Sequence, residues 1–347
     1  MRRFGALLAA LLLAGGLTAC GGEAEMQSAQ VFAMDTVMIL TASGGETEAA
    51  LKTAEDELYR LDRELSRTRE SSAVSRLNSA PEGAAEVGEE LRDLIARALD
   101  FSAATDGAFD ITLAPVSSAW GFTEDAYRVP AREELEELMA HVGAEHVHLG
   151  DGTAVSLDPG TQIDLGAIAK GYASDVVAAI CRENGVAHST VSLGGNVWVC
   201  GGNPEGKPWQ IGIQDPARPE EADAYVGILR MSDGFAVTSG GYQRYFEEDG
   251  KLYHHIIDPA TGYPAESGLT SVTVVSEGTE GSGTMCDALS TALFVMGEER
   301  ALDFWRSGTF DFEAILVTED GRLLVTAGLE DSFTPDETAG YAYEVVS

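Results

Sequence analysis

Two short stretches of this 347-residue sequence carry side chains in an order that could do chemistry. The first runs His254-His255-Ile256-Ile257-Asp258-Pro259-Ala260-Thr261-Gly262-Tyr263-Pro264 and sets imidazole and carboxylate groups at a turn stiffened by proline and glycine. The second, Cys286-Asp287-Ala288-Leu289-Ser290-Thr291-Ala292, spaces a carboxylate and two hydroxyls at i, i+3 and i+4, positions that share one face of a helix. Carboxylate and hydroxyl oxygens, joined by a loop carbonyl, form a hard donor set that suits Mg²⁺ or Ca²⁺ far better than zinc. His255 can serve beside it as a base or a hydrogen-bond donor.

Four further segments draw notice. Gly107-Ala108-Phe109-Asp110-Ile111-Thr112 presents an aromatic and a carboxylate at a glycine turn, although read alone it is better explained as a helix cap and a core aromatic. Asp164-Leu165-Gly166-Ala167-Ile168-Ala169-Lys170 is expected to open a helix with Asp164 as its N-cap and Lys170 in the opening turns. A cation there opposes the helix dipole by about 0.3–1 kcal/mol, which an anion docked at the same end would offset, and phosphate is the natural candidate. Gly194-Gly195-Asn196 either lets a flat ligand approach the backbone or simply closes a hairpin. Thr238-Ser239-Gly240-Gly241-Tyr242 is expected to bring hydroxyls towards 254–259 across a hairpin.

These segments need a scaffold. Leu51, Ala54, Leu58 and Leu61 lie at helical spacing and predict a helix over 46–65, and helices also suit 89–104, 132–142, 284–295 and 298–305. Ile168, Tyr172, Val176 and Ile180 predict the buried face of a helix that ends near Gly185. Alternation over 30–41 predicts a strand, and short β-rich runs broken by Gly and Pro follow at 188–193, 197–200, 209–214, 224–231 and 269–275. Strands near 314–317, 322–326 and 341–346 close the chain. Helices and strands grouped in blocks, not alternating one for one, argue for an α+β fold with a mixed or antiparallel sheet. No repeat or low-complexity linker divides residues 30–347, which are expected to form a single large domain with room for two lobes.

Residues 1–19 stand apart, because Arg2 and Arg3 precede an apolar run at 7–13 and then small residues. The run is shorter than the roughly 20 apolar residues of a membrane span, so it reads as an export leader. Leu17-Thr18-Ala19-Cys20 resembles a bacterial lipoprotein processing site, which would make Cys20 the acylated start of a tether over 20–29. An ordinary secretory signal with a chance cysteine is the plainer alternative. Acyl chains contribute about 0.8 kcal/mol per buried methylene, so two or three hold a protein to the extracytoplasmic face of a membrane.

Composition excludes several classes. A formal charge of −35 repels nucleic acid. With Cys20 acylated, Cys181, Cys200 and Cys286 remain, odd in number and without a Cys-x-x-Cys pair, which argues against a disulfide framework or a thiolate zinc site. Apolar neighbours make Cys286 a buried thiol, not a nucleophile. Gly201 to Lys207 has P-loop spacing, yet Pro208 replaces the magnesium-binding hydroxyl and the next residues continue as a strand, so that reading fails.

The order and content of Met34-Asp35-Thr36, Gly107 to Asp110, Asp164 to Tyr172, Gly194-Gly195-Asn196, Ser239-Gly240, His255 to Pro264 and Asp287 to Thr291 resemble the ApbE-type FAD:protein FMN transferases. The resemblance covers nearly the whole chain after the leader. It implies an enzyme that moves the FMN half of FAD onto a Thr or Ser hydroxyl of another exported or membrane protein, releasing AMP, with Mg²⁺ as cofactor. It implies further that Met34, Ala108, Phe109, Asp110, Asp164, Lys170 and Ile256 hold FAD in one flavin site between lobes. The Ala167 carbonyl, Asp287, Ser290 and Thr291 would then hold the metal, and His255 would assist the acceptor hydroxyl. The chain departs from the pattern at Asp35, where many relatives have glycine, and at Thr68, near a position commonly aromatic. Two other functions would use this site. One is a Mg²⁺-dependent FAD pyrophosphatase, with water in place of the protein hydroxyl; the other is a non-catalytic flavin-binding lipoprotein, which would not require His255, Asp287 and Thr291.

Overall fold

A computed structural model describes residues 25–80, 84–123, 126–278 and 280–347. The leader, Cys20 and the first part of the expected tether lie outside the described residues. The chain opens with strands β1 (Gln27–Ala33) and β2 (Thr36–Ser43), helices α1 (Thr47–Leu65) and α2 (Ala73–Asn78), and the short strand β3 (Ala84–Glu86). Helices α3 (Glu89–Ala104), α4 (Ala114–Trp120) and α5 (Arg132–Met139) follow, then β4 (Val147–Leu149), β5 (Ala154–Leu157) and α6 (Ala169–Glu183). Next come β6 (His188–Leu193), β7 (Asn196–Cys200), β8 (Trp209–Gln214), β9 (Tyr225–Met231), β10 (Gly234–Gly240), β11 (Tyr245–Glu248) and β12 (Lys251–His254). The last part holds β13 (Leu269–Ser276), α7 (Ser282–Arg306), β14 (Glu313–Thr318), β15 (Arg322–Thr326), β16 (Phe333–Pro335) and β17 (Ala342–Val346).

The main sheet has the order β1-β2-β6-β7-β10-β13-β14-β15-β17 and is antiparallel until its last pair, β15 and β17, which is parallel. This is the expected α+β arrangement with a mixed sheet. Helix α6 packs against both α1 and α7, and the three cover the sheet because each turns small or aliphatic residues towards it. In α1 the predicted stripe of Leu51, Ala54, Leu58 and Leu61 is buried, and each leucine contributes roughly 1.5–3 kcal/mol by leaving water. Two smaller apolar clusters flank this core. One lies between the sheet and β8, β9 and β16, and the other joins α4 and α5 to the β11–β12 hairpin through Trp120, Phe122, Phe246 and Tyr253. Among the described residues no helix is long and apolar enough to cross a membrane.

Three expectations needed correction. The single strand over 30–41 is a hairpin that turns at Met34 and Asp35, whose φ angles are 49° and 58°, and its first strand takes in Gln27 to Ala29 from the expected tether. The helix expected from Asp164 begins at Ala169; of the predicted stripe Ile168 and Ile180 are buried, whereas Tyr172 and Val176 are half-buried and their neighbours Ala173 and Val177 take the core. The two helices at 284–295 and 298–305 form one run, bent at Gly297 (φ 76°, ψ 174°). A Cβ at Gly297 would come within 2.8 Å of the Ser267 carbonyl, so glycine is needed both for the angle and for the space.

Candidate active site

The site is built on the crossing of α6 and α7, where glycines meet. A Cβ on Gly171 would approach the Gly283 carbonyl to 2.3 Å, and one on Gly283 would approach the Gly171 carbonyl to 2.7 Å. At this separation each helix caps the other. Neither N-terminus has a side-chain cap of its own. Asp175 on α6 instead accepts from the Gly283 and Thr284 N–H groups (2.9 and 2.8 Å) and from the Thr284 hydroxyl (2.6 Å), while Asp287 on α7 accepts from the Gly171 N–H at 2.7 Å. These N–H groups belong to the first turns, where the helix supplies no partner. Burial raises the Asp175 carboxyl above the usual carboxylate range, opposed by the bonds from Thr284 and Gly283.

The same crossing arranges the expected metal ligands. Because Gly171 donates to Asp287, its N–H does not close back on the Ala167 carbonyl, and among the described residues no hydrogen bond ends on that oxygen. Asp287 is 3% exposed and uses Oδ2 for Gly171. Ser290 is fully buried, donates to the Asp287 carbonyl (2.9 Å) and meets the Ser239 hydroxyl (2.8 Å), which also reaches Thr291 (3.2 Å). Ser290 therefore braces α7 against β10, and the half-exposed Thr291 is the hydroxyl open to a ligand. No group of three or more His, Cys, Asp or Glu side chains capable of holding a metal occurs among the described residues. One carboxylate, one hydroxyl and a free carbonyl are a poor zinc site but fit Mg²⁺, which keeps positions for water and substrate phosphate.

Across from this cluster, the β11–β12 ladder pairs Tyr245 with His254 and continues one step, with the His255 N–H donating to the Arg244 carbonyl at 3.0 Å. The same carbonyl lies 3.1 Å from His255 Nδ1, so Nδ1 carries the proton and Nε2 keeps the basic lone pair. Burial, with the positive charges of Arg244 and Lys170, pushes the His255 pKa down to about 3. Its imidazole is thus neutral at physiological pH. Lys170 lies in the first turn of α6, 3.3 Å from the Gly166 carbonyl, and has no carboxylate partner among the described residues.

The remaining expected residues form a connected rim. The Asp164 N–H donates to the Ile111 carbonyl (2.7 Å), which ties the Phe109-Asp110 turn to the loop before α6. Phe109 is a core residue, whereas Asp110 is half-buried, accepts from Thr112, and is raised in pKa by burial. Asp164 is not a helix cap: one oxygen takes the Gly166 N–H (2.8 Å) and the other pairs with Arg67 Nε (2.8 Å). Met34 donates its N–H to Asp62 (2.8 Å), which also binds Arg69 (2.6 Å). A left-handed methionine costs about 1–3 kcal/mol, and Asp35 tolerates the conformation that glycine serves elsewhere. Ile256 is buried and its carbonyl is taken by Ala265.

Sequence reasoning passed over Arg67, Asp62, Asp175 and Arg244, whose roles depend on partners far along the chain. The signal available was local only for Arg67, which lies beside the anomalous Thr68. A cavity of about 630 Å³, lined by Pro216, Tyr245, Tyr253, His254, Tyr263 and Phe294, opens beside the hairpin. Its lining includes none of His255, Lys170, Asp287 and Thr291, so the cavity is not the site of the chemistry. The three cysteines are free, and the Cys286 thiol, fully buried, is pushed well above its ordinary pKa.

The same architecture occurs in known proteins. Residues 34–316 match the family model described as the ApbE family. The FAD:protein FMN transferase of Vibrio cholerae serotype O1 is 33% identical over 92% of this chain and 96% of its own length. That of Haemophilus influenzae is 34% identical over 90% and 92%. Among solved structures, the ApbE protein of Thermotoga maritima superposes with a TM-score of 0.77 at 36% identity, covering 90% of this chain and 98% of that one. The apo form of the Pseudomonas stutzeri flavinyl transferase ApbE gives 0.77 at 32% identity, covering 90% and 97%. With its α6–α7 crossing, its paired hairpin and matches that span nearly its whole described length, this chain belongs to the ApbE family.

Proposed function

We infer that this chain is an FAD:protein FMN transferase, and that it joins the FMN half of FAD to a Thr or Ser hydroxyl of an acceptor protein. The observation that carries the reading is the hard-oxygen set left open at the α6–α7 crossing, with Lys170 in the first turn of α6 acting electrostatically on a neutral His255. In the proposed step a new bond forms between the acceptor oxygen and the flavin-side phosphorus. The bond from that phosphorus to the bridging oxygen breaks, and AMP leaves with the electron pair. His255 Nε2 receives the hydroxyl proton, while Lys170 holds charge on the pyrophosphate and the hairpin keeps the imidazole in one tautomer. Asp287, Thr291 and the Ala167 carbonyl would hold Mg²⁺, with Ser290 bracing Asp287. A magnesium ion bound there would polarise the phosphoryl oxygens.

Met34, Ala108, Phe109, Asp110, Asp164 and Ile256 are proposed to line the dinucleotide site. Export and acylation at Cys20 are part of the same proposal and rest on the leader pattern. The test is to incubate the protein with FAD, Mg²⁺ and an acceptor protein and follow protein-bound flavin and AMP. Fluorescent flavin that survives denaturation on the acceptor, abolished by EDTA and restored by Mg²⁺, is the expected result. Free FMN and AMP with an unlabelled acceptor would identify water as the acceptor instead.

A further inference from the structure

Arg244 is the direct cross-strand neighbour of His255. The ladder register that pairs Tyr245 with His254 makes 244 and 255 the next pair, and the His255 N–H to Arg244 carbonyl bond (3.0 Å) completes it. Residues directly opposite in an antiparallel pair project their side chains from the same face, with Cβ atoms about 4.5–5.5 Å apart. The guanidinium therefore lies on the His255 side of the hairpin. It is half-buried, and its only hydrogen bond among the described residues runs from Nη1 to the Phe122 carbonyl (3.2 Å). Among the described residues Nε and Nη2 have no hydrogen-bond partner, which leaves donors to spare.

Its surroundings make this unusual. The sequence has 57 acidic residues to 22 Lys and Arg, and several arginines are neutralised: Arg67 pairs with Asp164, Arg60 with Glu90 and Arg69 with Asp62. Arg67 also grips the Thr123 hydroxyl, one residue from the Phe122 carbonyl that holds Arg244, so both reach the turn after α4. Arg67 has spent its charge on Asp164. Arg244 and Lys170 have no carboxylate within ion-pair distance among the described residues, and both act electrostatically on His255. Two unneutralised cations that both act on one neutral histidine describe a receptor for a dianion.

We propose that Arg244 is a further catalytic residue of this site, donating from its guanidinium to the phosphoryl oxygens next to His255 as the acceptor hydroxyl attacks. The proposal rests on the transferase reading. It adds to Lys170 a planar donor that meets two oxygens at once, a geometry a lysine cannot supply. The bland alternative is that Arg244 only staples the hairpin to Phe122.

Arg244→Gln keeps a donor for the Phe122 carbonyl and removes the charge, and Arg244→Lys keeps the charge and loses the fork. Arg244→Gln is expected to lower kcat/KM for FAD about 10²–10³-fold, the usual effect of losing one donor to a developing oxyanion, with an unchanged melting temperature. Arg244→Lys is expected to recover part of that loss. The acidic limb of the rate profile should also move to higher pH in Arg244→Gln and not in Arg244→Lys, because the other groups acting on His255, Lys170 and His254, are untouched. A staple alone would leave that limb in place. Transfer by Arg244→Gln within threefold of wild type would overturn the proposal, as would equal losses in both variants accompanied by a lowered melting temperature. Calorimetric binding of inorganic pyrophosphate with Mg²⁺ needs no turnover. Equal affinity in wild type and Arg244→Gln would reject the role of Arg244 whatever the acceptor assay shows, whereas the absence of bound flavin with wild-type protein would reject the transferase reading itself.

Discussion

Asp287 does two jobs that two substitutions can separate. Its Oδ2 caps α6 through the Gly171 N–H at 2.7 Å in a site 3% exposed, and its carboxylate is the one ionised ligand proposed for the metal. Asp287→Ala removes both. A hydrogen bond to a buried charged group contributes about 1.5–3 kcal/mol, and the orphaned N–H would find no water to replace it. At 2–4 °C per kcal/mol for a domain of this general size, the melting temperature should fall by about 5 °C. Asp287→Asn keeps an amide oxygen for Gly171 and should cost less than about 1 kcal/mol, yet it removes the charge that attracts a divalent cation. Both variants should lose Mg²⁺-dependent flavin transfer by at least about 10²-fold, while only the alanine variant melts early. The assay is a Mg²⁺ titration of transfer beside a thermal scan of each protein. An Asp287→Asn protein that turns over like wild type would remove this carboxylate from the mechanism. An Asp287→Ala protein that melts with wild type would refute the capping argument.

Further tests address the other groups. His255→Gln should lower turnover by roughly 10²–10⁴-fold with little change in FAD affinity, and matching turnover would end the case for a base. Because the folded histidine stays neutral down to about pH 3, the unfolded chain binds a proton that the folded chain does not as pH falls below the ordinary histidine value. That costs wild type about 1.4 kcal/mol per pH unit. Wild type should therefore lose stability between roughly pH 6 and pH 4 faster than His255→Gln, and parallel melting curves over that window would contradict the burial argument. Cys20→Ser should yield protein that is exported but released or unprocessed; fatty-acid label that persists in the variant would defeat the acylation proposal.

Periodicity made the long elements legible. The stripe of α1 and the bounds of α3, β6, β8 and β15 follow from residue types and spacing alone. The errors share a cause, which is that a partner outside the segment decided the outcome. Asp164 has the composition of an N-cap, but Arg67 and the Gly166 N–H claim its oxygens, so α6 starts four residues later than expected and is capped from α7. Met34 and Asp35 fit a strand by pattern, yet Asp62 holds the Met34 N–H in a turn. The proposed site residues come from motif order, whereas the role proposed for Arg244 comes only from hairpin register.

The mutual capping of α6 and α7 also bears on how the protein is made. Its bonds join residues 108 to 116 positions apart, so no local segment of the chain can form the site in isolation. Contacts of such separation carry a large closure entropy and slow the approach to the native state. During synthesis the residues of α6 emerge long before Gly283 and Asp287, and until then the first turn of α6 has neither its cap nor the carboxylate proposed to hold the metal. Flavin and magnesium would therefore meet a finished protein, and a shortage of either during synthesis should lower activity while leaving the yield of folded chain unchanged.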